Sequence, residues 1–234
     1  GMKILFISII LVLCCFLGSE ELFSAKVYHQ ESGELLYLHY NKIEIKDSLT
    51  FKTHYYLHPD STKAVFDQVI LKNQIPWKYK SEFYDLDEYS LLVRKNNKLH
   101  IDYRKGNEQK SKDFEFDDKL LSGPLFNDFV IDNWQALLTG KTRKFRLPAP
   151  DMLTTGGFYL KLEKDSPYQK ADTVVLKMGI SSIFLRLWIK PSYFVYEMSS
   201  KRLLEIHGLT ILPNKVDGDW SRTTNADIYY EYKK

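Results

Sequence analysis

LTFKTHYYL, residues 49–57, alternates side chain by side chain. Leu49, Phe51, Thr53, Tyr55 and Leu57 form a largely apolar row, and Thr50, Lys52, His54 and Tyr56 a mostly polar one. Successive strand residues point to opposite faces, so a period of two predicts a strand with one buried and one wet face. That is the usual condition of antiparallel pairing, and the apolar row is the one expected to be buried. His58-Pro59-Asp60 ends the run, because proline has no N–H to give to a ladder.

The same signal recurs outward along the chain. Ala64 to Leu71 and Trp77 to Phe83 read as strands. Tyr89-Leu91-Val93 and Leu99-Ile101-Tyr103 flank Asn96-Asn97, and Asn tolerates the positive φ of a tight hairpin turn. Asp113 to Asp117 closes the first half. Strands are expected again over 141–147, 158–162, 173–178, 183–189, 194–198, 203–209 and 228–232, eleven or twelve in all. Sixteen Tyr, fourteen Phe and four Trp agree with this, since aromatics suit a pleated, half-buried surface. No linker or repeat divides the chain, so one domain over 26–234 is expected.

Between the halves the period changes. PLFNDFVIDNWQALLTG (124–140) carries Leu125, Phe126, Phe129, Val130, Trp134, Leu137 and Leu138 at offsets of three and four, with Pro near its start and Gly past its end. This predicts a helix over about 124–139. Its apolar arc covers more than half the circumference, which calls for enclosure on most sides. A long meander must curl, because strand twist accumulates and open edges aggregate. The expected fold is therefore mainly β. A strongly curved antiparallel sheet or incomplete barrel would carry this one principal helix on its concave side or mouth.

At the N-terminus, Lys3 precedes fourteen apolar residues, Ile4–Leu17, followed by Gly18, Ser19, Glu20 and Glu21. That layout is an export signal; fourteen residues fall short of the roughly 20 needed to span a bilayer. A signal over 1–25, with Gly1 as an expression remnant, places the mature chain in the periplasm or at the outer membrane, or makes it secreted. Cleavage after Gly18 or Ser19 is the alternative to cleavage after Ala25. Both cysteines, Cys14 and Cys15, lie in this segment, so the mature chain is expected to have no thiol chemistry. Membrane association is expected only if one of them is lipidated. A net charge of +3, without long like-charge blocks, does not suggest a nucleic-acid partner.

GPLFNDFVIDNWQALLTGKTRKFRLPAP (123–150) and FLRLWIKPSYFVYEMSSKRLLEIHGLTIL (184–212), set beside the leader and the meander, resemble the bacterial lipoprotein-localisation carriers. They also resemble uncharacterised periplasmic proteins of similar curved-sheet design. The resemblance implies a concave apolar surface suited to acyl chains and no enzymatic activity, and assigns no functional residue.

The candidate chemistry has ordinary readings. His54 and His58 are four apart, but on a strand this is about 13 Å, too far to share one metal ion. Gly140-Lys141-Thr142 leads from helix into strand, the reverse of a phosphate loop. Gly179-Ile180-Ser181 lacks the second Gly of a nucleophile elbow. Asp85-Leu86-Asp87-Glu88 lacks calcium-loop spacing. Asp128 and Asp132 belong to the polar strip of the helix, and the four Trp residues to the core. Asn133 falls inside the apolar arc, where a buried amide needs partners. Lys141 and Arg143 share one face of a basic strand, Lys144 and Arg146 the other.

These readings predict a non-enzymatic envelope protein, without metal or cofactor, holding a lipid or other apolar or amphipathic ligand between sheet and helix. Its ligand-binding residues would be Phe126, Phe129, Val130, Asn133, Trp134, Arg143 and Arg146. The alternatives are an interaction module for an envelope protein partner and, third, a secreted hydrolase.

Overall fold

The computed structural model describes residues 22–183 and 189–233. The expected leader as far as Glu21, with both cysteines, and most of the expected strand 183–189 lie outside the described residues.

Strands β1 (Phe23–His29), β2 (Leu35–Lys46), β3 (Leu49–Leu57), β4 (Lys63–Lys72), β5 (Ile75–Phe83), β6 (Glu88–Lys95), β7 (Lys98–Lys105) and β8 (Glu108–Glu115) form the first half. A crossing segment follows, with a 3-10 turn Gly123–Leu125 and helices α1 (Phe126–Asp132) and α2 (Trp134–Leu138). The second half has β9 (Arg143–Ala149), a 3-10 turn Pro150–Met152, β10 (Thr154–Leu162), β11 (Thr173–Ile180), β12 (Ser192–Glu197) and β13 (Leu203–Thr210). It ends with the small hairpin β14 (Asn214–Val216) and β15 (Asp219–Ser221), then β16 (Thr224–Tyr232).

Fourteen strands form one antiparallel sheet that does not close, in the order β8-β7-β6-β5-β4-β3-β2-β1-β16-β13-β12-β11-β10-β9. The expected mainly-β, unclosed meander is what forms. Its curvature follows from spacing. β9 and β7 stand twelve places apart, about 58 Å across a flat sheet, yet the turn Pro150–Met152 just after β9 touches β7. The sheet has to curl until its two ends approach.

The β8-to-β9 connection therefore joins the two edges and runs through the concave side. It is not the single helix over 124–139 that the periodicity predicts. The helix breaks at Asn133 (φ −102°, ψ 8°), whose Nδ2 donates to the Phe129 carbonyl at 2.9 Å. A side-chain amide that bonds the backbone in this way competes with the helical ladder. The start of the segment also covers β9's free edge: Arg146 N–H donates to the Lys119 carbonyl (2.9 Å), and Leu121 N–H to the Arg146 carbonyl (2.8 Å). The opposite edge, β8, carries Glu108, Lys110, Lys112, Asp113 and Glu115, charges that discourage strand addition.

Several boundaries differ from expectation. β1 begins at Phe23, and Ala25 in it is 3% exposed. A cut after Ala25 would remove paired residues, whereas one after Gly18 or Ser19 keeps the strand whole. β1 and β2 were not anticipated, and β8 lies earlier than 113–117. At the end opposite the helices, the β13–β16 connection closes the interior. Leu212 packs with Val27, Tyr37, Val65 and Ile228, and Tyr37 Oη donates to the Pro213 carbonyl.

Candidate functional site: the concave face

The wall built from β9 to β12 is apolar and aromatic. Phe145, Leu160, Val174, Leu176, Phe194 and Tyr196 are all buried there. The crossing segment lies against them. Phe126 has its ring 4.7 Å from Phe194 and 5.9 Å from Phe145. Phe129 lies 5.2 Å from Phe145, and Trp134 5.8 Å from Tyr196, edge to face. Val130 is fully enclosed and Trp134 nearly so. Phe126, Phe129, Val130 and Trp134 thus all belong to one apolar cluster with this wall.

The three predicted polar residues do not join them as a set. Asn133 spends its amide on Phe129 at the helix break. Arg143 and Phe145 share the inward face of β9, and Arg143 Nε is buried without a hydrogen-bond partner. Arg146 has opposite parity and is held by Thr155, through Oγ1 and the carbonyl at 2.7 Å each. Since Arg143 and Arg146 point to opposite faces, they cannot serve one ligand together.

A feature that sequence reading missed crosses the other wall. Paired in register on the inner face are Asn41 and His54, His54 and Asp67, Asp67 and Ser81, Ser81 and Ser90, then Ser90 and Tyr103. A polar row thus spans β2 to β7 on the concave side. This reverses the expectation for 49–57: the row Lys52, His54 and Tyr56 looks inward, and Phe51 and Tyr55 look outward. Tyr55 there packs on Phe66, over which Lys80 lies.

The row has unusual electrostatics. Burial, and secondarily the Lys52 charge, push the His54 imidazole down to about 4. Burial pushes the Asp67 carboxyl up to about 6, against the opposing bond from Ser81 Oγ at 2.8 Å. His39, next to them, is 1% exposed, and neither ring nitrogen has a hydrogen-bond partner. It stacks on Tyr56 at 4.0 Å and meets His54 edge-on at 4.8 Å. Lys52 Nζ donates to Asp128 of α1 at 2.6 Å, tying the crossing segment to this wall.

On the outer face, His207 lies between two carboxylates, Asp227 at 2.7 Å and Glu205 at 2.9 Å, under the stacked ring of Tyr168. Lys170 pairs with Glu205. The ring, stacked under Tyr168 and bonded to both carboxylates, staples the 163–172 loop to the sheet. Beside Asp227 an open hollow of about 440 Å³ is lined by Tyr28, Gln30, Tyr229 and Glu231, among others. His58 bonds Asp85 at 2.8 Å at the lower end, far along the strand from His54's partners. Among the described residues no group of three or more His, Cys, Asp or Glu stands where it can hold a metal ion. Nor, among them, is any helix long and apolar enough to cross a membrane. No family model, curated protein or solved structure matches the chain.

Proposed function

We propose that this is an exported, non-enzymatic cell-envelope protein that holds a lipid or another amphipathic molecule between the crossing segment and the β9–β12 wall. One observation carries the reading: the connection between the sheet's two open edges is laid inside the curl, aromatic side against an aromatic wall. Its helices have seven and five residues, well below the ~12–15 needed for stability alone. The segment keeps its shape through contact with the wall and few polar ties. If it moved aside, the wall would present a bare apolar trough for an acyl chain.

The test is organic extraction of protein purified from a bacterial envelope, with mass spectrometry of the extract, beside titration with a fluorescent fatty acid. About one lipid per chain, or saturable probe binding, is expected. An empty extract together with no probe binding would overturn the reading. Exposed Met152 (68%) and Ile211 (67%), at the end where Asp151 pairs with Arg222, favour a second reading, an interaction module for another envelope protein. Recovery of one stoichiometric partner by a lipid-free protein would support it.

A further inference from the structure

Resting on that reading, we propose that the ligand enters through the hollow between α2 and the β10–β11 loop, and that it is an anionic amphiphile. Its chain runs from this mouth onto the β9–β12 wall, and its head stays at the rim beside Lys164.

The hollow holds about 410 Å³, within the ~300–1,000 Å³ usual for small-ligand sites. Its apolar lining comes from four elements. Leu138 is the last residue of α2, Leu162 ends β10, Val174 lies at the start of β11, and Met198 directly follows β12. Leu138, Leu162 and Val174 also belong to the core cluster of the concave face, whereas Met198 is 44% exposed. The hollow is thus the place where the inner apolar surface reaches the outside, between the end of the crossing segment and the sheet.

From the mouth the lining continues along the wall. Leu162 pairs in register with Leu176, and Leu176 with Phe194, against which Phe126 packs. Val174 pairs with Tyr196, which meets Trp134 edge to face. From the turn that follows Met198, Lys201 extends its ammonium over the Trp134 ring, 5.9 Å from its centre. The two sides of the mouth are held differently. The loop is fixed to the sheet by Tyr168, stacked 3.9 Å from His207. The facing side is the last turn of a five-residue helix, too short to stand without its packing. A chain entering here displaces α2 first, and the next rings in its path are Trp134 and Phe126.

The polar residues of the rim decide the head group. Glu163 pairs with Lys177 at 3.4 Å. Gln169 Nε2 donates to the Thr173 carbonyl (2.8 Å) and the Lys170 carbonyl (3.1 Å), and Thr173 Oγ1 donates to the Lys170 carbonyl (2.9 Å). Lys164 lines the same hollow, is exposed, and makes no side-chain hydrogen bond or ion pair among the described residues. A lysine lays its stem along apolar surface and keeps its ammonium in water. An uncommitted ammonium at the edge of an apolar hollow suits a chain that ends in a carboxylate or a phosphate.

The experiment uses amphiphiles with one twelve-carbon chain, bearing carboxylate, hydroxyl or ammonium heads, each displacing a fluorescent fatty acid from the full chain at pH 7.5. The carboxylate is expected to displace it about fivefold better than the alcohol, the scale of an exposed ion pair, and the ammonium to be the weakest. Lys164→Glu should erase or invert that order with the thermal midpoint unchanged. Met198→Trp narrows the mouth and should weaken probe binding at least ~tenfold. Met152→Trp, on the turn at the other end of β10, should leave it unchanged. Both methionines are exposed (44% and 68%), so neither change disturbs the core. Equal displacement by the three heads, or equal probe binding by the two Trp variants, would overturn this mouth and its charge preference and leave the lipid-holding reading intact. Probe binding absent from the unaltered protein would overturn both.

Discussion

The two walls of one concave face are built on opposite principles. From β9 to β12 the inward side chains are aliphatic and aromatic, and the crossing segment presses rings onto them. From β2 to β6 the inward positions include Asn41, His54, Asp67, Ser81 and Ser90, bracketed by apolar layers at each end of the curl. Both walls belong to the same sheet and share its backbone hydrogen bonding, so backbone geometry does not account for the difference. Stability explains the first wall, because each large apolar side chain buried there contributes about 1.5–3 kcal/mol. The second wall encloses polar groups instead, and beside them the His39 imidazole is buried with neither ring nitrogen hydrogen-bonded.

The largest effect that tests the contrast is on the apolar wall. Phe145→Ala removes a ring that touches Phe126, Phe129 and Phe158. It should cost about 3–5 kcal/mol, read as a fall in the urea midpoint. A loss under ~1 kcal/mol would mean that the wall is not the main core.

A smaller effect comes from pH. Asp67 keeps its proton up to about 6 when folded, against an ordinary 3.8, so its contribution is present at low pH and lost as pH rises from about 4 to 6. His54 stays neutral down to about 4 when folded, so its contribution is present above 6.5 and lost as pH falls towards 4. The two oppose each other between pH 4 and 6. Asp67→Asn should therefore make stability fall more steeply on acidification, by up to ~2 kcal/mol, in urea melts at pH 7, 5.5 and 4.5. An unchanged slope would show that Asp67 is solvated like a surface carboxylate.

The smallest effect is the most pointed. His39→Leu replaces an unpartnered imidazole by an apolar group of similar size, and should be neutral or stabilising by about 1 kcal/mol. A clear destabilisation in thermal or urea melts would mean that the polar row serves the fold, erasing the distinction between the walls.

Much of the fold was legible locally. The run 49–57 matches β3 residue for residue, and the Asn96-Asn97 hairpin forms between β6 and β7 with Asn96 at φ 55°. These depend on period and turn chemistry, which act over a few residues. β1 and β2 escaped because the first overlaps the region read as leader and the second places Tyr37, His39 and Asn41 on its buried face, mixing polar with apolar. The helix was legible as an apolar arc, but its break was not, because spacing alone does not show that the Asn133 amide turns back onto the Phe129 carbonyl.

By itself the sequence determined the strands, the turns between most of them and the change of period at residue 124, because alternation, φ preferences and helical spacing are properties of neighbouring residues. Only the tertiary structure decided which face of those strands looks inward. Lys52 and His54 read as part of a wet face until the sheet curls and turns them inward with Asp67. Facing is a matter of curvature, and curvature belongs to fourteen strands acting together, not to any one of them.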